Sequence, residues 1–284
     1  MSNIQSVEQL RAQFRSLRRL YFCFLILAVL ALVAYFIEPW LTLVLLGFSL
    51  VLNLLLGRKK SKEYVRNFSH LAIQLSLERH LEQASHTQEP AVTVQQVQEA
   101  RMLPCNAAYG SILCREGGNG TYHGRQVRIS DVTLAHTFTV GGKKRHNFAV
   151  GAWVTVELEK DTGLDCRFIG ENTTPEQSLT EMLWVESDLK RTVAPTRANW
   201  RVLCAEANPA LPGNAFLKQL DKLHTKTDGR VAVCVRGSSL HVMLIGEIMA
   251  QKVSSRMEPG PNFAQAELLP SLPYALMLSD TLVK

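Results

Sequence analysis

Residues 20–37 and 40–57 form two apolar runs of 18 residues each, and neither run holds a formal charge. As helices rising about 1.5 Å per residue, each reaches about 27 Å, enough to cross the hydrocarbon core of a bilayer with little tilt. Only Glu38 and Pro39 separate them. A link so short, polar and helix-breaking turns the second helix back along the first, because an extended connection would leave backbone amides unpaired in lipid. The expected product is a transmembrane helical hairpin. A cleaved signal peptide fits poorly, since the first run is too long for a signal core and has no small-residue cleavage motif behind it.

The flanks predict orientation. Arg11, Arg15, Arg18 and Arg19 precede the first run, and Arg58, Lys59, Lys60, Lys62 and Arg66 follow the second, whereas the turn has no basic residue. Both ends are therefore expected in the cytoplasm. Tyr21, Tyr35 and Trp40 stand near the run ends, where amphipathic rings favour the headgroup level. Thr42, Ser49 and Asn53, inside the second run, are expected to bond to helix backbone or to the partner helix.

The same flanks account for the net charge of +6. Residues 1–66 hold nine Lys/Arg and three Asp/Glu, and the other 218 residues hold 22 of each. A neutral soluble portion lacks the electrostatic footprint of a nucleic-acid binder, so no nucleic-acid partner is expected. The basic flanks suit anionic lipid headgroups instead. Six cysteines occur singly, without a C-x-x-C pair, so buried free thiols are expected rather than a disulfide framework or a structural zinc site.

The organisation reads as α+β. Residues 1–19 form a basic amphipathic segment whose apolar positions Ile4, Val7, Leu10, Phe14 and Leu17 recur at helical spacing, the pattern of an interfacial helix. Residues 20–57 are the hairpin, and 58–102 a basic flank and helical stalk or linker. Its periodic stretch at 63–84 precedes a polar break at 85–90 and a short helix over 92–102. Residues 103–284 form the cytoplasmic domain, in sub-parts of about 103–172 and 173–284. In the first, a period of two predicts strands over 111–115, 122–138, 148–158 and 166–169, with turns at 117–120, 141–146 and 161–163. The result is a largely antiparallel sheet. The second, with helices over 175–190 and 214–224, a strand over 200–205 and a hairpin from 231 to 245, reads as a smaller α+β subdomain beside it. The tail from 264 onward carries no assignable pattern.

The order of these parts resembles the bacterial membrane-protein family known as DUF3137. The likeness is carried by the hairpin, the helical linker, the stretch Tyr122-His-Gly-Arg-Gln-Val-Arg-Ile-Ser-Asp-Val132, the basic loop after it and Phe148-Ala-Val-Gly-Ala-Trp153. Two departures are Asp131, where Glu is more usual, and a different loop at 207–213. The resemblance implies a two-pass protein of the bacterial inner membrane. It carries no activity over, and it implies only by association a membrane-protein partner of the LemA type.

Little in the chain points to catalysis. The Gly117-Gly-Asn-Gly120 run lacks the Lys-Ser/Thr ending of a phosphate loop and precedes a strand, so a β-turn is the better reading. No nucleophile elbow, metal-binding helix motif or dinucleotide fingerprint occurs, and no cofactor or metal is expected. His70, His80 and His86 are spaced too widely for one metal site. His123 and Asp131 would share one face of a regular strand and His136 the other. Cys105 and Cys114, at the domain entrance, are the weak candidates for a thiol nucleophile. Lys143, Lys144, Arg145 and His146 form a basic tip suited to an acidic partner or anionic lipid. The flanking Arg15, Arg18, Arg19, Arg58, Lys59 and Lys60 are candidate membrane contacts. The leading expectation is a non-enzymatic membrane protein presenting its domain to a partner protein or a second copy. The alternative is a membrane-tethered enzyme or ligand sensor, thiol-dependent in one version; a transporter subunit is less favoured, because two helices without an ionisable interior residue make a pore only by oligomerising.

Overall fold

The computed structural model describes residues 6–103, 111–140, 142–173, 189–206, 209–250, 253–265 and 267–282, with backbone alone at 136–140, 145–147 and 264. The chain divides into two compact units, one of residues 1–75 with 251–266, the other of 76–250 with 267–284.

In the first unit, α1 (Val7–Tyr35) runs unbroken from the amphipathic segment through the first apolar run. Ser6 starts it by accepting a hydrogen bond from the Gln9 amide. Pro39 opens α2 (Pro39–Leu52), where its missing N–H costs nothing. A π-helical turn, Asn53–Gly57, leads on into α3 (Arg58–Leu77). The two helices that carry the runs are long and apolar enough to cross a membrane. Thr42 donates from Oγ1 to the Ala31 carbonyl at 3.2 Å, the cross-helix bond expected of a polar group in such a run. Gly57 is buried, and a Cβ there would meet Asn53 Oδ1 at 2.4 Å and Phe24 at 3.2 Å, so a larger residue would have to displace the Asn53 side chain.

Beyond the runs the structure corrects the expectation of an interfacial helix. Leu10, Phe14 and Leu17 pack against Tyr64, Phe68, Leu71 and Ala72 of α3, which takes the place that lipid was expected to fill. Phe263 closes this cluster, its ring 4.7 Å from that of Phe68. Tyr64 donates its hydroxyl to the Met257 carbonyl, and Arg11 donates from Nε to Pro259 and from Nη2 to Gly260.

Among the described residues the second unit is built on one nine-stranded, wholly antiparallel sheet. Its strands are β1 (Glu82–Thr87), β2 (Ile112–Tyr122), β3 (Arg125–Val140), β4 (Lys143–Glu157), β5 (Asp165–Gly170), β6 (Lys190–Thr192), β7 (Trp200–Cys204), β8 (Val231–Arg236) and β9 (Ser239–Ile245), in the spatial order β1-β2-β3-β4-β9-β8-β5-β7-β6. The β8–β9 hairpin, expected in a separate subdomain, sits mid-sheet and joins β4 to β5. One face is covered by α4 (Val94–Ala100), whose Val97 and Ala100 pack with Met102, Leu103, Val132, Trp153 and Met243. Thr93 and Gln96 start α4 with a reciprocal capping box. The other face carries α5 (Asn214–Thr227) and α6 (Leu272–Asp280), with Phe216 5.8 Å from Phe168 between ring centroids. Gln219 of α5 donates to the Tyr274 carbonyl of α6.

Several boundaries differ from the sequence reading. The stalk helix stops at Leu77, and residues 82–87 pair with β2 as an edge strand rather than forming helix and a polar break. The Gly117–Gly120 run is no turn: it lies inside β2, where a Cβ would meet the Glu89 carbonyl at 2.1 Å from Gly117, Leu77 at 2.8 Å from Gly118 and Leu81 at 2.9 Å from Gly120. Glycine serves close packing there, not chain reversal. The reversal falls at His123-Gly124, whose φ values of 49° and 80° suit a two-residue hairpin. His123 is therefore a turn residue and shares no strand face with Asp131. The expected helix over 175–190 lies mostly outside the described residues, but Lys190 begins β6. Lys143 to His146 belong to β4 and pair with Val140 to Thr137, just past the turn residue Gly142.

Candidate functional site

The feature that stands out from the sheet is the far end of the β3–β4 hairpin. Pairing of β2 with β3 stops at Ile112 and Leu134, and pairing of β4 with β9 stops at Gly151 and Ile245. The β3–β4 ladder continues alone to Val140 and Lys143. Among the described residues this leaves a two-stranded arm that bonds to no other strand. Lys143 and Lys144 are exposed at its tip, and Phe148 and Val150, 61% and 41% exposed, lie nearer its base. Arg145 and His146 sit on the same strand, with side chains outside the description. A ribbon of two strands is marginal on its own in water, so such an arm gains stability from whatever it docks against. The membrane-flank candidates Arg15, Arg18, Arg19, Arg58, Lys59 and Lys60 are all exposed, on the helical segments that border the two apolar runs.

The thiol candidates gain no support. Cys105 lies outside the described residues. Cys114 is half-buried on β2, and burial pushes its thiol up to about 11, far from a thiolate at neutral pH. No cluster of metal-ligating side chains occurs among the described residues.

Ser130 and Asp131 have a structural task on each face of β3. Ser130 Oγ accepts from the amides of Ala91 and Val92, both at 2.9 Å. Asp131 points the other way and accepts from Met249 and Ala250, both at 2.7 Å. Burial raises the Asp131 carboxyl despite those two donors. Ser130 and Asp131 thus secure two connecting segments to β3.

A buried polar row on the α4 face escaped sequence reading. The register aligns Thr155 of β4, His241 of β9, Cys234 of β8 and Arg167 of β5 across four adjacent strands. Thr155 Oγ1 lies 3.2 Å from His241 Nδ1. Arg167 donates from Nε to the Ala100 carbonyl at 3.0 Å and pairs with Asp165, while Arg236 donates to the Glu99 carbonyl at 2.7 Å. Two cations thus satisfy the last carbonyls of α4, where the helix dipole favours positive charge. Burial, then Arg236 and Arg167, lower His241 to about 4, and burial raises Cys234 to about 12. A neutral imidazole beside a neutral thiol is the reverse of an activated thiolate–imidazolium pair. The row holds α4 to the sheet.

Other polar groups also bind elements together. Asp280 at the end of α6 receives Tyr122 Oη, lies 3.0 Å from His123 Nδ1 and accepts from Arg125 at 2.8 Å; these bonds lower its carboxyl against the opposing effect of burial. His86 Nε2 is 2.7 Å from Glu116 Oε2, and His80 Nε2 is 3.1 Å from Glu267 Oε1. A cavity of about 640 Å³ opens along α5, lined by Arg197, Asn214, Lys218, Asp221, Lys222 and Thr225 among others. Asp221 is occupied there in accepting the amides of Arg197 and Ala198, which fixes that loop to the helix.

Compared with known proteins, the chain matches no family model, no curated protein and no solved structure.

Proposed function

We propose that this chain is a two-pass protein of the bacterial inner membrane, similar to the DUF3137 family, that presents its sheet domain in the cytoplasm to a protein partner and acts without catalysis. The observation that carries this reading is the pair of apolar helices bounded by cations on the outer flanks and by none at the turn. The β3–β4 arm is the contact surface in this reading: its exposed lysines suit an acidic patch on a membrane protein, of LemA type by association, or on a second copy. Purification of the intact protein in mild detergent, with mass measurement of the complex, tests it. A stoichiometric protein partner or a defined homo-oligomer is expected. The double substitution Lys143→Glu, Lys144→Glu is expected to weaken capture about tenfold or more, since reversed charge at a contact costs affinity directly. Undiminished capture by that variant would remove the arm from the proposal. A second reading, a membrane-tethered ligand sensor, draws on the α5 cavity and its three cations. A lone monomer that carries a small anion would favour it.

A further inference from the structure

We infer that Cys166 and Cys204 form a thiol pair that closes to a cross-strand disulfide on oxidation, tying β7 to β5. The two residues are direct partners in the antiparallel β5–β7 ladder, and their sulfurs lie 2.8 Å apart, closer than two unbonded sulfurs ordinarily rest. The Ala205 amide donates to the Asp165 carbonyl at 3.2 Å, one residue along the ladder from the cysteines. That places Cys166 and Cys204 at a non-hydrogen-bonded pair, where Cα atoms stand about 4.5 Å apart and side chains are close, within the range a disulfide spans.

The register also makes the pairing selective. Cys234, the other buried cysteine nearby, is the ladder partner of Arg167, and Cys166 faces Val235, so Cys234 projects from the opposite face of the sheet. Cys114 lies on β2, five strands away from β5 in the sheet order. Both thiols of the pair are buried. Reaction with a soluble oxidant therefore requires local opening, and the place for it is the sheet margin, where among the described residues only the three-residue β6 lies outside β7.

The step balances with a low-molecular-weight disulfide such as oxidised glutathione. One protein thiolate attacks a glutathione sulfur and releases the first glutathione thiolate. The second protein thiolate then attacks the mixed disulfide at the protein sulfur and releases the other. The two protein thiols give up two protons and two electrons, and one oxidised glutathione becomes two reduced molecules. The bond formed joins β5 to β7 and closes the chain between residues 166 and 204, a loop long enough for the cross-link to stabilise the fold appreciably.

The test uses the full chain in mild detergent in two portions, one lysed in the presence of an alkylating agent to record the thiols as they stand, the other lysed without it, incubated with oxidised glutathione and only then alkylated. Trypsin separates the two cysteines into peptides 161–167 and 202–218, each holding one of them. The expected result is free thiols before oxidation and, afterwards, a linked 161–167/202–218 species that reduction dissolves. Thermal unfolding of the oxidised protein should move up by about 5–10 °C. Persistence of both peptides as free thiols, glutathione adducts alone, or a link through Cys234 or Cys114 would each overturn the pairing. A 166–204 link already present at lysis would uphold the pair but contradict the cytoplasmic placement proposed above, so the two ideas fail separately.

Discussion

Substituting Val29→Asp and Leu46→Asp together is expected to move the protein out of the carbonate-resistant membrane fraction. Val29 and Leu46 lie in the middle of the two apolar runs and are 53% and 47% exposed, so their side chains meet the surroundings of the helices rather than a protein core. A carboxylate at the centre of a membrane helix costs about 2.5–3.5 kcal/mol, and two of them about 6 kcal/mol, close to a 10⁴-fold shift in partition. The same pair of changes on helices that lay exposed in water would raise solubility and leave the distribution unchanged. Fractionation after alkaline extraction reads the difference. An undiminished membrane fraction in the double variant would mean that these runs do not hold the chain in the bilayer.

Acidification provides the second large effect. The His241 side chain titrates at about 4 in the folded chain, against 6.5 for an unperturbed imidazole. Because the folded-state value is depressed, the unfolded chain binds the extra proton first as pH falls. The stability due to a neutral buried His241 is complete above about pH 6.5, declines as pH drops from there and is lost by about pH 4, a total of about 3 kcal/mol. His241→Gln, which keeps a group able to bond Thr155 but cannot be protonated, should flatten the curve over that window. Thermal unfolding of the detergent-solubilised full chain at several pH values checks this. Asp131 and Asp280 titrate in both proteins, so the difference between the two curves isolates the histidine. Parallel curves for wild type and variant would show that His241 is not the group responsible.

How far the sequence foretold the structure depended on whether each signal was local. The apolar runs and the Glu38-Pro39 reversal needed only neighbouring residues, and the helix hairpin appears where they place it. The 231–245 hairpin was equally plain, since Gly237-Ser238 joins two short apolar runs rich in strand-forming residues. The position of that hairpin in the sheet was not legible, because the β4–β9 pairing joins residues about ninety apart and leaves no local trace. The glycines at 117–120 misled for a physical reason: turn chemistry and close backbone packing select the same residue, and only the presence of Leu77, Leu81 and Glu89 decides between them. The row from Thr155 to Arg167 was hidden in the same way, being assembled from one residue on each of four strands. Successive residues of a strand point to opposite faces, but the register that aligns these four is a property of the folded sheet. Leu272–Asp280 escaped because Pro273 reads as a helix breaker, yet near the first turn of α6 it is tolerated.

Sided labelling of single cysteines in intact cells is the most direct measurement of the membrane arrangement. In a chain freed of its own reactive cysteines, Glu38→Cys reports on the turn between the apolar helices and Lys143→Cys on the tip of the β3–β4 arm. A membrane-impermeant maleimide is expected to label the Glu38 position in intact cells and the Lys143 position only after lysis. Labelling of the Lys143 position from outside, or protection of the Glu38 position until lysis, would contradict a hairpin that keeps the sheet domain in the cytoplasm.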